Sequence, residues 1–134
     1  MDDIFVGRLM SSPVRTVSPD TPVRTAAQEL TENGIGSVVV VDGGNDLEGI
    51  LTGTDFVRIV AEGHGTSDGT VEDYMTTDVI TATASESLRD VADTMIEHGF
   101  HHVPVTEPTE GVIGMISTTD LTAYISHAQS PTPE

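Results

Sequence analysis

The chain repeats itself: residues 6–60 align with residues 71–125 at a constant offset of 65 positions, without a gap. Thirteen aligned positions are identical, among them the glycine pair Gly34 and Gly99 and the aspartate pair Asp55 and Asp120. Many other positions keep their apolar character, so the matches fall on turn glycines and on candidate core positions together. A repeat of this kind predicts two copies of one folding unit.

Each copy has the same predicted order of elements. A short apolar turn comes first, in IFVGRLM and VEDYM, and an extended piece follows, in PVRTV and DVITA. Apolar residues then recur at helical spacing from Val23 to Leu30 and from Leu88 to Met95. We expect Asp20-Thr21-Pro22 to supply a cap and a first-turn proline, with residues 85–87 capping the second helix. Gly34 and Gly99 follow the last turn, where a left-handed residue is favoured.

Two short aliphatic runs follow each of these glycines, separated by an acidic turn that contains glycine, and they predict paired strands. Asp55 and Asp120 then open a second helix. The predicted fold class is α+β, with two β-α-β-β-α repeats related by a pseudo-two-fold axis. The predicted boundaries are repeat 1 at 1–62, a linker at 63–70, repeat 2 at 71–128 and a flexible tail at 129–134. Because about 60 residues bury little surface alone, we expect the copies to pack together and to form two equivalent clefts.

The composition is strongly acidic: 22 Asp and Glu residues face five Arg, and the formal net charge is −17. Such a chain repels phosphate backbones and anionic lipid, which makes nucleic acid an unlikely ligand and predicts no membrane binding. The absence of Cys excludes disulfides and thiolate chemistry. The acidic N-terminus differs from a signal peptide and predicts a cytoplasmic protein. The composition resembles that of salt-in halophiles; an acidic mesophilic domain is the alternative.

The repeat also carries sequence motifs. The two helices are followed by the stretches GIGSVVVV and GFHHVPV. Each copy then closes with GILTGTD or GMISTTD, in which a glycine and two hydrophobic residues precede a hydroxyl residue, and an aspartate stands three positions after that hydroxyl residue. Each copy resembles a CBS domain, and the tandem over residues 4–127 is similar to a CBS pair, also called a Bateman module. The resemblance implies a regulatory module that binds AMP, ADP, ATP or S-adenosylmethionine between its repeats, forms a homodimer and acts on a separate, unknown protein.

The closing motif has a physical rationale. One carboxylate can accept hydrogen bonds from both vicinal hydroxyls of a ribose, which gives Asp55 and Asp120 a candidate role. Hydroxyl side chains beside a helix N-terminus suit phosphate oxygens, and four positions supply them: Thr52, Thr54, Ser117 and Thr119. The alternative is that both aspartates only cap helices, and one residue can do both.

The resemblance adds further candidate ligand-binding positions. Those expected to line the base pocket are Ile35, Ser37, Val39, Phe100, His102 and Pro104, whereas Thr16 and Thr81 match other ligand contacts of the family. His101 stands where many members carry Arg and is a candidate phosphate contact, although a neutral His supplies little charge for a triphosphate. An ordinary strand core is the alternative for the valines.

Other chemistry has less support in the sequence. His98, His101 and His102 suggest a metal site, but no further ligand stands at a recognised metal spacing. No phosphate-binding glycine loop and no nucleophile elbow occurs, so we expect no catalytic activity. The remaining alternative is a structural module with empty clefts, which serves only dimerisation or docking. The two copies differ, which predicts unequal sites.

Overall fold

The computed structural model describes residues 4–12, 14–63 and 69–128. Along the chain the elements are α1 (Val6–Leu9), β1 (Thr16–Val17), α2 (Val23–Asn33), β2 (Ser37–Val41), β3 (Leu47–Thr52), α3 (Gly53–Ala61), α4 (Val71–Tyr74), α5 (Leu88–His98), β4 (His102–Glu107), β5 (Gly111–Ser117) and α6 (Thr118–Ala128). The mixture of helices and small sheets confirms the α+β prediction. The predicted tail and residues 64–68 of the predicted linker lie outside the described residues.

The chain divides into two compact units, which we name after the repeat that supplies most of each. The repeat-1 unit contains, of the described residues, 14–63, 69–79 and 109–112. The repeat-2 unit contains residues 4–12, 80–108 and 113–128. The units therefore differ from the two stretches of the sequence repeat, since each takes a short segment from elsewhere in the chain.

A three-stranded sheet in the order β1-β2-β3 organises the repeat-1 unit. β1 runs parallel to β2, with Thr16 beside Val39, and β2 runs antiparallel to β3, with Ser37 beside Thr52. At the far edge, Ile50 of β3 forms a bridge with Thr76. The helices α2, α3 and α4 contribute to a core of buried side chains that includes Val23, Ala26, Leu30, Val38, Val40, Leu51, Ile59 and Val71.

The repeat-2 unit reproduces this pattern at equivalent positions. β4 lies beside β5, and Ala82 forms a parallel bridge with Val105 where β1 pairs with β2 in the other unit. Ser11 bridges Met115, as Thr76 bridges Ile50. Its core consists of Val6, Ala82, Val91, Met95, Val103, Val105 and Ile116.

The leading segment of each repeat, residues 4–12 in repeat 1 and residues 69–79 in repeat 2, packs on the other repeat. Val71 is fully buried in the core of the repeat-1 unit, whereas Val6, its counterpart in the sequence, is fully buried in the core of the repeat-2 unit. Main-chain hydrogen bonds hold both segments in place: the amide of Val71 donates to the carbonyl of Thr21, and that of Val6 donates to Glu86. Periodicity cannot predict this exchange, because both leading segments have the same sequence pattern.

The helix ends follow the predicted signals except at one place. Gly34 and Gly99 end α2 and α5 with φ of 61° and 69°, as predicted, and the Ser87 hydroxyl caps α5 by accepting from the amide of Asp90 at 3.1 Å. The predicted cap at 20–22 was wrong: Pro22 holds the N-cap position of α2, and no side chain caps it.

In the part of the chain that the structure describes, no helix is long and apolar enough to cross a membrane.

Gly49 and Gly114 occupy equivalent positions where a leading segment lies against a strand. A Cβ atom at Gly49 would lie 2.8 Å from the carbonyl oxygen of Thr76, and one at Gly114 would lie 3.0 Å from that of Ser11. Sulfur atoms of Met75 and Met10 crowd the same two places. A side chain at either position would therefore push the exchanged segment away from the sheet, which explains why both repeats have glycine there.

We expect Gly49→Ala to lower the free energy of unfolding by roughly 1–3 kcal/mol, because overpacking against a fixed backbone costs about that much. Gly43→Ala is the control, since a Cβ there meets nothing within 4 Å. Urea unfolding monitored by circular dichroism measures both variants. Equal stability of the two would show that the segment does not press on the strand at Gly49.

Candidate functional site

The junction of β3 and α3 is held by a reciprocal cap between Thr52 and Asp55. The carboxylate oxygen Oδ2 of Asp55 accepts from the amide of Thr52 at 2.8 Å and from its hydroxyl at 3.1 Å. In return, the Asp55 amide donates to the Thr52 hydroxyl at 3.3 Å. These bonds satisfy backbone donors that a helix start otherwise leaves free, and they fix the direction in which α3 leaves the strand.

The junction of β5 and α6 repeats the same arrangement. Oδ2 of Asp120 accepts from the amide of Ser117 at 2.9 Å and from its hydroxyl at 3.0 Å, while the Asp120 amide donates to the Ser117 hydroxyl at 3.2 Å. Both aspartates therefore cap helices, which was one of the two roles open to them. The hydroxyls of Thr52 and Ser117 are engaged in these caps, whereas Thr54 and Thr119 are exposed.

The two carboxylates differ in what surrounds the second oxygen. Oδ1 of Asp55 accepts from the Thr76 hydroxyl at 3.2 Å and pairs with the Arg58 guanidinium at 3.1 Å, and only 5% of Asp55 is exposed. Asp120 is half-buried, and among residues 4–12, 14–63 and 69–128 no donor reaches its Oδ1. The repeat-2 unit thus presents a carboxylate oxygen that the described residues leave available.

Main-chain hydrogen bonds bring the stretch after each helix glycine beside its cap. The amide of Thr118, the first residue of α6, donates to the carbonyl of His101 at 3.0 Å, and the amide of Gly53 donates to Gly36 at 3.1 Å. In each unit the first residues of one strand therefore lie next to the start of the second helix. Two groups of predicted residues, far apart in the sequence, meet at one end of each sheet.

The remaining predicted residues take their places along the same strands. Thr16 is exposed beside Val39, and Thr81 is exposed next to Ala82, whose amide donates to the carbonyl of Pro104 at 2.9 Å. Val39 and Pro104 have fully buried side chains, so a ligand at these positions would contact backbone atoms. Ile35, Phe100 and His102 are half-buried, Ser37 is buried and His101 is exposed. Ligand contact by these residues stays a prediction.

An aromatic stack lies at the start of the repeat-2 strand. The rings of His98 and Phe100 are 5.5 Å apart between centroids and inclined by 19°, and Nδ1 of His98 lies 3.1 Å from the carbonyl oxygen of Thr94. The stack therefore lies directly before β4, which starts at His102. Within the described residues, no group of three or more His, Asp or Glu side chains could hold a metal ion.

Sequence reasoning missed Arg58, Thr76 and His98 as neighbours of the candidate site. Arg58 stands three positions after Asp55 on the same helix, a spacing at which opposite charges pair, so the sequence contained a signal for it. Thr76 belongs to the exchanged leading segment, and nothing local to Asp55 points to it. The sequence suggests His98 only as a metal ligand. Its separation of two positions from Phe100, across the end of α5, also allows contact between the two rings.

His102 lies in the candidate site, and the structure shifts its pKa. Burial is the main cause that lowers its pKa from the ordinary value of 6.5, the neighbouring His101 lowers it further, and the Asp120 carboxylate partly offsets both. As the pH falls through 6.5, the unfolded chain therefore binds a proton that folded His102 does not bind. Protonation of His102 then favours the unfolded state.

His102→Gln should make the free energy of unfolding less dependent on pH between about 7.5 and 5.5, because that proton is no longer taken up on unfolding. The exposed Ile96→Gln, which changes no titratable group, serves as the control and should keep the pH dependence of the natural chain. Urea titrations at several pH values measure the slope. Equal slopes for all three proteins would contradict a lowered pKa of His102.

Comparisons with known proteins agree with this architecture. The protein-family model of the CBS domain matches residues 6–62 and again residues 71–127. An uncharacterized 17.7 kDa protein of Acidianus ambivalens is 34% identical over 87% of this chain, and the match spans 70% of that protein. Protein MJ1225 of Methanocaldococcus jannaschii, also uncharacterized, is 32% identical over 86% of this chain, but the match spans only 40% of its length.

A solved structure with a similar fold has bound ligands. The CBS domain pair of protein MJ0100, in complex with 5′-methylthioadenosine and S-adenosyl-L-methionine, superimposes with a TM-score of 0.88 at 26% identity. The superposition covers 96% of this chain and 100% of that one. The sequence repeat, the two strand-helix caps and the family match lead to one assignment: the chain belongs to the CBS family and consists of two CBS domains in tandem.

Proposed function

We propose that the chain is a regulatory module that binds an adenosine-containing small molecule in its repeat-2 unit and does no chemistry itself. The observation that carries the proposal is the carboxylate of Asp120, half-buried beside the strand start with Oδ1 left free by the described residues. Support comes also from the CBS pair of protein MJ0100, which binds 5′-methylthioadenosine and S-adenosyl-L-methionine.

The ribose is the part of the ligand that Asp120 would recognise. The cap uses Oδ2 and holds the carboxylate in one orientation. Oδ1 can therefore accept a hydrogen bond from a sugar hydroxyl while the cap at the start of α6 stays intact. Bonds from hydroxyls to an ionised carboxylate are stronger than bonds between neutral groups. The exposed hydroxyl of Thr119 lies in the same turn and is the candidate donor to a phosphate or carboxylate of the ligand.

The adenine would lie against the strand start that follows Gly99. Half-buried Phe100 offers an aromatic edge or face, and its stack with His98 holds the ring in place. Strand backbone groups at residues 100–102 are close to Asp120, because the Thr118 amide bonds to the His101 carbonyl. A flat base and a sugar linked to it fit this combination of an aromatic side chain, backbone polar groups and a carboxylate.

The charge of the chain favours ligands with little negative charge. The formal net charge is −17, and the two arginines of the repeat-2 unit, Arg8 and Arg89, are exposed. Arg89 lies in the first turn of α5, about 15 Å along the helix axis from the residues that follow Gly99. A triphosphate would meet repulsion here, whereas S-adenosylmethionine, 5′-methylthioadenosine and AMP carry fewer negative charges or none. We therefore place ATP last among the candidate ligands.

Regulation would follow from differential binding. A ligand that binds one conformation more tightly shifts the chain toward it, and a partner protein that contacts only that conformation reads the change. We propose a homodimer as the assembly. The exposed apolar side chains of Val57 and Val60 on α3, each 68% exposed, are candidates for a contact with the second copy or with the partner.

S-adenosylmethionine or 5′-methylthioadenosine at 100 times its dissociation constant should stabilise the natural chain by about 2.7 kcal/mol. Asp120→Ala should abolish this stabilisation, since the ribose loses its acceptor. Thermal unfolding, followed by circular dichroism in molar KCl with and without each ligand, measures the shift in Tm. AMP, ADP, ATP and GMP complete the panel.

The matched control is Asp73→Ala. Asp73 caps α4 through Oδ2, which accepts from the amide of Thr70 at 2.9 Å, so this variant also loses a helix cap, at a cost of about 1 kcal/mol. Its ligand shift should equal that of the natural chain. If no adenosine compound stabilises the folded natural chain, the sensor proposal fails and the structural docking module takes its place.

A further inference from the structure

We infer that Arg58 closes the site of the repeat-1 unit, so that the chain binds one ligand, at Asp120, and holds a second, latent site at Asp55. This inference rests on the proposed function and assigns the closure of the repeat-1 site to one side chain. The guanidinium of Arg58 lies 3.1 Å from Oδ1 of Asp55. In the other unit, the described residues place no donor at the equivalent oxygen of Asp120. Arg58 therefore occupies the place of a ribose hydroxyl.

The hydrogen bonds around Asp55 leave little capacity for a ligand. Oδ2 accepts from the Thr52 amide and hydroxyl, and Oδ1 accepts from Thr76 and Arg58. A carboxylate has about four acceptor positions, so these four donors fill them. With 5% of the residue exposed, a sugar could reach it only by displacing the guanidinium.

Arg58 has a second bond that keeps it in this position. Its Nη2 donates to the main-chain carbonyl of Tyr74 at 3.4 Å, and Tyr74 belongs to the exchanged leading segment of the repeat-1 unit. Arg58 thus joins α3 to that segment as well as to Asp55. Half of its side chain remains exposed, so it can be exchanged for a smaller residue without opening the core.

The repeat provides the matching residue in the other unit. Position 123 is equivalent to position 58 at the offset of 65, and it is Ala123, which is exposed on α6. An Ala at this place cannot reach the carboxylate three positions earlier. The exposed Ser11 stands where the other unit has Thr76. The Arg-to-Ala difference therefore removes the guanidinium from the carboxylate of the repeat-2 unit. The two sites also differ at the strand start, where Gly36 and Ser37 align with His101 and His102.

Two reciprocal substitutions test the inference. Arg58→Ala gives the repeat-1 site the residue of repeat 2 and should raise the number of bound ligands from one to two per chain. Ala123→Arg gives the repeat-2 site the residue of repeat 1 and should weaken its binding at least about tenfold, the loss of roughly one hydrogen bond to a charged group. Isothermal titration calorimetry with 5′-methylthioadenosine gives both numbers. This probe is uncharged, so a change in the protein's charge does not itself attract or repel it.

Arg24→Ala is the control for charge, because exposed Arg24 lies in the same unit and on α2. This variant should still bind one 5′-methylthioadenosine per chain.

A second ligand in Arg58→Ala that disappears in Arg58→Ala/Asp55→Ala supports the inference. One ligand per chain in both the natural chain and Arg58→Ala, or undiminished binding by Ala123→Arg, overturns it while the proposed function stands. Two ligands on the natural chain overturn it as well. No binding of 5′-methylthioadenosine, S-adenosylmethionine or AMP by the natural chain means that the proposed function itself has failed.

Discussion

The reciprocal hydrogen bonds between a hydroxyl residue and an aspartate three positions later shape the candidate ligand site of each unit. In each repeat they start a helix directly after a strand and satisfy backbone amides that would otherwise lack partners. They also orient a carboxylate, because one of its oxygens is fixed by the cap. The other oxygen then faces whatever the rest of the unit places beside it. A structural motif thereby produces a candidate binding group, and capping and ribose recognition are two uses of one side chain.

What differs between the repeats comes from residues around that shared cap. The exchanged leading segments bring Thr76 to Asp55 and Ser11 to the equivalent strand of the other unit, while α3 has Arg58 where α6 has Ala123. A buried carboxylate needs compensating donors, and Asp55 has both a hydroxyl and a guanidinium. Asp120 is half-buried and does without them, since water or a ligand can satisfy it. The more buried carboxylate, Asp55, is thus the one whose second oxygen already has donors, and the less buried Asp120 is the one that a ligand could reach.

Local signals predicted the elements well because each had a single physical cause. Helical spacing, the left-handed Gly34 and Gly99, and the Ser87 cap are all visible within a few residues of the sequence. The Pro22 boundary was mispredicted, since Asp20 and Thr21 are suitable caps by type but sit too early for α2. The exchange of leading segments could not be predicted, because Val6 and Val71 are the same residue at equivalent positions of the repeat, so the sequence does not tell which core each enters. For the site, the repeat identified Asp55 and Asp120 as the candidate aspartates. Whether the second carboxylate oxygen of each has a donor depends on contacts between distant parts of the chain, such as that of Thr76 with Asp55.

The most direct test of the account is a crystal structure of the chain grown with 5′-methylthioadenosine. The account predicts electron density for the nucleoside at the repeat-2 unit, with ribose hydroxyls within about 3 Å of Oδ1 of Asp120 and the adenine beside Phe100. It also predicts that Arg58 remains paired with Asp55 and that no ribose reaches that carboxylate. A nucleoside bound at Asp55 with Arg58 displaced, or one bound away from both aspartates, would contradict the account.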